Sequence, residues 1–333
     1  MTTVLDSLNA GLHAAFAADE SVLLLGEDVL DPYGGAFKVT RGLSSAFPGR
    51  VLTTPISEAG ITGAGIGLAL GGFRPVVEIM FGDFLTLAFD QLVNAAAKFN
   101  WMYNGSAQVP LVVRTPMGGR RGYGPTHSQT LEKHLLGAPG LTVLAPFHYL
   151  DTPGRLLQET ILHTTAPVLF IENKLQCLLP VLDENSLAGL VVETGGSPTT
   201  SFYRISLRGA PQPRLTLAAY GYMAELCRQA LLQLAYEDEI FVELIVSTRL
   251  APFDLSPVLD SARRTRRLLT VEEGGRSLGW GAEVLARAAE TNSALLSAGR
   301  LAARDLPIPA SPALESAVLP GVDDIIRAVK KMV

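Results

Sequence analysis

The sequence has very little cysteine: Cys177 and Cys227 are the two among 333 residues, and they lie in different regions. Such a pair provides neither a disulfide framework nor the spacing of a zinc site. Charged residues are also scarce, at 18%, whereas hydrophobic residues make up 48%. The net charge of −5 argues against a nucleic-acid partner or an anionic membrane surface. These totals indicate a globular protein with a large core.

Long apolar runs are missing as well. No uncharged apolar run reaches the roughly 18 residues of a membrane span without an interrupting glycine. The first residues lack the basic stretch of a signal peptide, and Val4, Leu8, Leu12 and Phe16 recur with helical spacing instead. We therefore expect a first amphipathic helix, no membrane partner and a cytoplasmic location.

Several self-contained catalytic motifs are absent too. The sequence has no phosphate-binding P-loop, no Gly-x-Ser-x-Gly elbow, no His-Glu-x-x-His and no Cys-x-x-Cys. Gly63-x-Gly65-x-Gly67 lies within a helical pattern, so it does not indicate a dinucleotide site. A Gly-Asp-Gly with a downstream Asn, the motif that binds thiamine diphosphate and magnesium, is also missing. A phosphate-bearing cofactor would have to be held largely by another chain.

Short apolar runs alternate with helical patterns along the first half of the chain. Candidate strands span residues 22–25, 75–81, 111–114, 141–145 and 168–172. Candidate helices span residues 57–71, 84–103, 129–136 and 151–164. This alternation predicts an α/β fold in which a mostly parallel sheet is flanked by helices.

The alternation stops between residues 179 and 212, which are rich in proline, glycine, serine and threonine. It resumes with candidate strands at 215–220, 240–246 and 268–272 and candidate helices at 224–235 and 281–291. We therefore predict two α/β domains, residues 1–180 and 214–333, joined by a linker or extended arm at 181–213.

Glu58 stands at the start of a glycine-rich helical pattern. Glycine costs up to about 1 kcal/mol per residue in a helix relative to alanine, so these positions need a compensating role. The small residues Gly60, Ala64, Gly67 and Gly71 share one face, which another backbone could approach closely. The carboxylate at the start of this helix is a candidate functional group.

Three further segments carry candidate site residues. The first is a strand that leads into a helix and contains Met80 and Phe84, and the second contains Gln91. The third is the glycine-rich loop from 118 to 129, which contains Arg120 and Arg121 and ends near His127. Together with Glu58, these segments combine acid–base groups, aromatics and positive charge.

The motifs and their order resemble a known family. They run from Gly26-Glu27-Asp28-Val29 through Thr54-Pro55-Ile56-Ser57-Glu58 and His127-Ser128-Gln129 to Gly279-Trp280-Gly281-Ala282-Glu283. The whole set is similar to the β subunit of the thiamine-diphosphate-dependent decarboxylating component of 2-oxo-acid dehydrogenase complexes, of the pyruvate, branched-chain and acetoin dehydrogenase type. The resemblance implies a transketolase pyrimidine-binding domain followed by a transketolase C-terminal domain.

The resemblance also implies residue roles. Glu58 matches the glutamate that hydrogen-bonds N1′ of the thiamine aminopyrimidine and favours the tautomer that removes the C2 proton. Phe84 matches the aromatic that stacks on the pyrimidine, and Met80 lines the same wall. His127 matches the histidine that assists acyl handling and transfer. Gln91 and Glu27 are candidate substrate-side or supporting residues.

The same resemblance implies partners and cofactors. An α subunit would carry the diphosphate and Mg²⁺ part of the thiamine diphosphate site, so no metal site is expected in this chain. The expected assembly is an α2β2 heterotetramer, with the glycine face of the Glu58 helix packed across a subunit interface. A lipoyl or acyl carrier domain would accept the acyl unit.

The sequence departs from the family pattern in places that leave alternatives open. Arg120 and Arg121 replace small residues, and they suit phosphate or carboxylate recognition, a partner contact or solvent. Residues 163–168 lack the Asp and Asn of the family's potassium site. Besides a dehydrogenase subunit, the sequence is compatible with a transferase that passes a two-carbon or acyl unit from a ketose phosphate or 2-oxo acid to a carrier thiol. A non-catalytic scaffold is the third alternative.

Overall fold

The computed structural model describes residues 2–150, 152–187, 189–197, 202–291 and 295–333. The chain forms two compact units. The first comprises Met1–Gly118 and His134–Val181, and the second comprises Gly119–Lys133 and Leu182–Val333. Within the described residues, no helix is both long enough and apolar enough to cross a membrane.

The first unit is built on a parallel sheet. Its strands are β1 (Val22–Gly26), β2 (Val51–Thr53), β3 (Arg74–Glu78), β4 (Val112–Met117), β5 (Thr142–Leu144) and β6 (Val168–Asn173). They lie side by side in the order β5-β6-β4-β3-β1-β2, and every neighbouring pair is parallel. Gly26 is in register with both Thr53 and Glu78, so β1, β2 and β3 end at the same level. The predicted parallel sheet is confirmed.

Helices cover this sheet. They are α1 (Val4–Ala18), α2 (Leu43–Ala46), α3 (Glu58–Leu70), α4 (Ala97–Met102) and α5 (Thr152–His163). The predicted amphipathic first helix is confirmed, and its apolar face joins the core together with Leu24, Val76 and Phe170. A Cβ on Gly11 would lie 2.2 Å from the Gly154 carbonyl oxygen, so α1 and α5 pack closely through glycine.

Two predicted helices differ from the structure. The expected helix at 84–103 is a 3₁₀ helix (Gly82–Ala88), a π-helix (Gln91–Ala96) and then α4. π-Helical turns are rare and often mark functional sites, and no periodic pattern distinguishes them from α-helix. The expected helix at 129–136 is a short 3₁₀ turn, Glu132–His134.

The second unit contains a mixed sheet. Its strands are β7 (Leu190–Gly195), β8 (Phe202–Leu207), β9 (Leu215–Ala219), β10 (Val242–Ser247), β12 (Arg267–Gly275) and β13 (Ser297–Ala303). A further short strand of this unit, β11 (Arg249–Ala251), lies outside the mixed sheet. The sheet order is β13-β12-β9-β10-β8-β7, parallel from β13 to β10 and antiparallel for β8 and β7. β7 and β8 lie in the segment 181–213, where the composition indicates a linker or arm.

Five helices are described in the second unit: α6 (Gly221–Asp238), α7 (Ser256–Thr265), α8 (Trp280–Thr291), α9 (Pro312–Val318) and α10 (Val322–Lys330). The start of α8 is fixed by Glu272, whose carboxylate accepts the N–H groups of Trp280 at 2.8 Å and Gly281 at 2.9 Å. A Cβ on Gly279 would lie 2.5 Å from that carboxylate. The Gly279-Trp280-Gly281 motif thus allows a buried glutamate to reach the helix N-terminus.

Candidate active site

The candidate site of the first unit lies where parallel strands end. Glu27 directly follows β1, Glu58 follows the short connection after β2, and Phe81 and Phe84 follow β3. Because β1, β2 and β3 are adjacent and end in register, these residues emerge at one edge of the sheet. Ligands of open α/β sheets bind at this carboxyl edge.

Glu58 is the first residue of α3, and its side chain is buried, with 4% exposed. Ser57 caps the helix by accepting the Gly60 N–H at 3.3 Å, so α3 begins without help from Glu58. Among the described residues, no hydrogen bond reaches the Glu58 carboxylate. Buried polar groups usually have a hydrogen-bond partner within the protein, so a mostly buried carboxyl group without one is a candidate for ligand contact.

Glu27 is an acidic neighbour of Glu58. It is 7% exposed, and its pKa is raised by burial first and by the charge of Glu58 second. A backbone N–H of Ser57 opposes the rise. A carboxyl group whose pKa is raised in this way, next to a second carboxyl group, is a feature typical of functional sites.

An aromatic wall, formed by Phe37, Phe81 and Phe84, includes the residues that follow β3 at this edge of the sheet. Phe84 packs edge-to-face on Phe81 at 5.9 Å between ring centroids, and Phe81 packs on Phe37 at 5.8 Å. Phe84 and Met80 are both half-buried, so each keeps part of its surface available. The side chains predicted to contact a pyrimidine ring are therefore held by neighbours but not covered.

Lys174 was not predicted as a site residue from the sequence, but its ammonium group contacts the aromatic wall at Phe81. Its side chain is fully buried, its Nζ lies 4.8 Å from the Phe81 ring centroid, and it donates to the Gly118 carbonyl at 3.1 Å. The cation thus connects the aromatic wall to the end of β4. A lysine next to an apolar strand, in Glu172-Asn173-Lys174, was the available signal.

A buried ion cluster lies under the same edge of the sheet. Arg114 donates to both oxygens of Glu172, at 2.8 and 2.6 Å, and also to Glu78. Burial raises the pKa of Glu78, which Arg114 counteracts. Charge in an otherwise apolar strand pattern was the sequence signal for this cluster. Its bidentate geometry links the neighbouring strands β3, β4 and β6.

Gln91 lies on the π-helix and is half-buried. Its Oε1 is buried without a hydrogen-bond partner in the described chain. Its Cγ lies 4.0 Å from the place of a Cβ on Gly63, so the side chain runs along α3. Gln91 thus lies beside the Glu58 helix with an unsatisfied acceptor, and its substrate-side role stays a prediction.

The remaining predicted residues belong to the second unit. His127 is half-buried, and its Nδ1 lies 3.0 Å from the Thr126 hydroxyl. Arg120 donates from Nη2 to the Pro320 carbonyl at 2.6 Å, while its Nε is buried without a partner in the described chain. Arg121 is exposed, with its guanidinium 5.5 Å from the Tyr123 ring. The two arginines thus differ in what they contact.

No cluster of three or more His, Cys, Asp or Glu side chains suited to a metal ion occurs within the described ranges.

Comparison with known proteins places both units. Residues 2–177 match the transketolase pyrimidine binding domain, and residues 207–325 match the transketolase C-terminal domain. A split-gene transketolase solved as an inactive β4 tetramer has the same fold, with a TM-score of 0.75 and 18% identity over 100% of this chain and 98% of that one. The chain is thus a two-domain α/β protein of the transketolase type.

Similar sequences identify the family within the transketolase type to which the chain belongs. The β-1 subunit of the mitochondrial pyruvate dehydrogenase E1 component of Arabidopsis thaliana is 36% identical, over 99% of this chain and 88% of its own. The β subunit of acetoin:2,6-dichlorophenolindophenol oxidoreductase of Bacillus subtilis is 34% identical, over 98% and 96%. The chain belongs to this family of E1-type β subunits, and the resemblance and fold class expected from the sequence are confirmed.

Proposed function

We propose that this chain is the β subunit of a thiamine-diphosphate-dependent 2-oxo-acid dehydrogenase, which decarboxylates a 2-oxo acid and transfers the acyl unit to a lipoyl group. The relatives named above support the reaction class. The observation that carries the proposal is the Glu58 carboxyl group, buried at the carboxyl edge of the sheet with no hydrogen bond from the described chain.

The residues of the first unit fit an aminopyrimidine. A heteroaromatic nitrogen would supply the partner that the Glu58 carboxyl group lacks, and Phe84 and Met80 provide a partly open apolar wall for the ring. The unsatisfied Oε1 of Gln91 is an acceptor near the same helix. When bound, thiamine diphosphate supplies the electron sink that allows a 2-oxo acid to lose carbon dioxide.

The chain's own groups then have defined tasks. Glu58 would share a proton with the pyrimidine nitrogen. Glu27, whose pKa is raised, limits the negative charge beside Glu58. His127 would donate a proton to the lipoyl sulfur that is released as a thiolate when the other sulfur takes the acyl unit, and the Thr126 hydroxyl at its Nδ1 fixes the ring orientation.

We further propose an α subunit as the holder of the diphosphate and Mg²⁺, in an α2β2 heterotetramer. The missing Gly-Asp-Gly motif supports this division of the site. Titration calorimetry of thiamine diphosphate with Mg²⁺ tests it: we expect tight binding to the α/β complex and none to the β chain alone. Tight binding to the isolated chain would contradict it.

The reaction itself is tested by a substrate panel on the α/β complex. Pyruvate, branched 2-oxo acids and xylulose 5-phosphate are offered with a lipoyl domain or an acyl carrier protein as the acceptor. The proposal expects turnover of a 2-oxo acid with acylation of the lipoyl domain. Turnover of the sugar phosphate, or acylation of the carrier protein alone, would favour the transferase, and no turnover with a bound cofactor would favour a scaffold.

The cytoplasmic location expected from the sequence also stays a proposal, because the plant relatives are named as mitochondrial proteins.

A further inference from the structure

The loop that carries His127 is bound at its backbone by two buried glutamates of the second unit. We propose that Glu315, together with Glu273, is a positioning residue that holds this loop and, through it, His127. The inference deepens the proposed function, because the role of His127 in acyl transfer rests on that proposal. The holding of the loop rests on the geometry alone.

Three backbone N–H groups at the start of the loop point at these carboxylates. Gly119 donates to Glu273 at 2.7 Å, Arg120 donates to Glu315 Oε1 at 2.7 Å, and Gly122 donates to Glu315 Oε2 at 3.2 Å. Glu273 is 6% exposed and Glu315 is 3% exposed. Hydrogen bonds to an ionised acceptor in a buried place are about twice as strong as neutral ones.

The backbone of the loop has a conformation that requires such support. Arg120, Gly122 and Gly124 have φ values of +67°, +69° and +78°. This left-handed region is unfavourable for arginine, and such residues persist where the surrounding structure holds them. Alternation of left-handed residues also turns successive N–H groups toward one side, which creates a concave anion site. Here the anion is the Glu315 side chain.

Packing fixes the same loop against the segment 310–320. A Cβ on Gly119 would lie 2.6 Å from Leu319 Cδ1, and a Cβ on Gly122 would lie 3.1 Å from the Ala310 carbonyl oxygen. The Arg120 side chain donates to the Pro320 carbonyl at 2.6 Å. The loop therefore has close contacts in addition to the Glu315 carboxylate.

The connection from this contact to His127 is short. A Cβ on Gly124 would lie 3.5 Å from Ala310 Cβ, and the His127 N–H donates to the Gly124 carbonyl at 3.3 Å, which closes a turn. Movement of Gly124 must therefore move His127. Glu315 acts on the histidine through this turn, without a contact of its own to reacting atoms.

Hydrogen–deuterium exchange of the α/β complex tests the holding of the loop. Glu315→Gln replaces one acceptor oxygen by a donor that faces an N–H group, so we expect amides 119–124 to exchange about tenfold faster or more. Glu283→Gln is the matched control, because Glu283 pairs with Arg287 on the exposed side of α8. Unchanged exchange in a folded Glu315→Gln complex would overturn the inference.

The effect on His127 is read from two activities of the same complex. We expect Glu315→Gln to lower lipoyl acylation about tenfold or more, while decarboxylation coupled to an artificial electron acceptor changes less, and Glu315→Asp to restore part of the acylation. Faster loop exchange with unchanged acylation would overturn the positioning role. If His127→Ala also leaves acylation unchanged, the proposed role of the histidine fails, whereas the loop contact stands on the exchange data.

A second variant keeps the test available if Glu315→Gln does not fold. Gly122→Ala strains a left-handed position and presses on the Ala310 carbonyl, so it disturbs the contact from the loop side while Glu315 stays intact. We expect the same pair of changes: faster exchange of the loop and a selective loss of acylation. Wild-type behaviour in both measurements would contradict the inference.

Discussion

Glu58 and Glu27 show how a single residue's surroundings set its chemistry. Burial of an ionised carboxylate without a partner costs several kcal/mol, and most proteins avoid it. Here two carboxyl groups lie at the ends of adjacent strands, and the pKa of Glu27 is raised by burial and by the charge of Glu58. A heteroaromatic base opposite Glu58 would resolve this arrangement by sharing a proton with it.

At the residue scale, substitution of Arg121 distinguishes the proposed dehydrogenase function from the alternative transferase function. Arg120 is less suited to this test because its guanidinium also binds the Pro320 carbonyl. For a dehydrogenase, we expect Arg121→Ala to leave the KM for 2-oxo acids within about twofold, since a surface charge contributes little to binding a small substrate. Arg263→Ala, which removes another exposed arginine of the second unit, is the control.

If the protein is a transferase, we expect the opposite result for Arg121→Ala. An arginine that binds a sugar phosphate contributes charge-assisted hydrogen bonds of about 1.5–3 kcal/mol, so its loss would raise the KM for xylulose 5-phosphate about tenfold or more. Added salt would weaken wild-type binding in the same direction. Such a result would contradict the dehydrogenase assignment.

At the scale of elements, α3 uses its glycines in two different ways. A Cβ on Gly65 would lie 2.8 Å from Val77 Cγ2 and 3.1 Å from Leu111 Cδ1, so this glycine permits close packing on the sheet. Gly60, Ala64, Gly67 and Gly71 are exposed, and a Cβ on Gly67 would meet nothing within 4 Å. The face of small residues predicted from the sequence therefore points away from its own unit.

This difference gives a matched pair of variants. We expect Gly65→Ala to destabilise the β chain by about 1–3 kcal/mol through overpacking. Gly67→Ala should stabilise the β chain by up to about 1 kcal/mol through helix propensity. Urea unfolding of the isolated chain measures both.

If the exposed face packs on a partner, Gly67→Ala should also weaken the α/β complex in sedimentation experiments. A complex of wild-type affinity would remove this helix from the interface.

Glu272, which caps α8, makes the second unit sensitive to pH. Burial has the largest effect on the pKa of Glu272 and raises it; the Gly281 N–H, second in size, opposes the rise, and the charge of Glu132, third in size, adds to it. The resulting pKa is about 7, compared with a usual value of 4.5. The folded protein therefore binds this proton more tightly than the unfolded chain does. The resulting stabilisation is complete below about pH 4.5 and is lost as the pH rises through about 7.

We expect Glu272→Gln to remove this contribution. The variant loses a cap and is less stable overall, but its free energy of unfolding should fall less between about pH 5 and 8 than that of the wild type. The difference in slope should amount to no more than about 3 kcal/mol over the window. Urea titrations across that range measure it, with Glu283→Gln as the control. Parallel curves for wild type and variant would contradict the raised pKa.

The elements also show what sequence patterns can specify. The strands β1, β3, β4, β6 and β9 and the helices α1, α3 and α5 follow from apolar periodicity, because burial on both faces of a parallel sheet leaves a clear pattern. The short strands β2 and β11 leave almost none. The π-helix follows from tertiary contacts, because over its six residues the spacing of apolar side chains cannot be distinguished from that of an α-helix.

Some residues of the candidate site could also be recognised from the sequence, and others could not. Glu58 was recognisable from its place before a glycine-rich helix, and the family was recognisable from the order of its motifs. Lys174 and Glu315 were not, because their importance depends on what they contact: the Phe81 ring and the Gly118 carbonyl for one, loop amides for the other. A single sequence can show a lysine beside an apolar strand, but it does not specify which distant groups that side chain contacts.

At the scale of the whole molecule, we propose that this chain provides one part of a thiamine site. It supplies a carboxyl group and an aromatic wall, while the motif for the diphosphate and Mg²⁺ is missing from its sequence. We therefore assign activation of the cofactor to this chain and binding of its charged end to an α subunit. Glu58 is the residue on which the assignment depends.

Exchange of the thiamine C2 proton in the α/β complex tests that assignment most directly. We expect Glu58→Gln to slow the exchange by about 10²–10⁴ relative to wild type, since an amide cannot share a proton with the pyrimidine nitrogen as a carboxylic acid does. Complex assembly, followed by sedimentation, should be unchanged, and Glu20→Gln at an exposed position should behave as wild type. Exchange at the wild-type rate in an assembled Glu58→Gln complex would contradict the account.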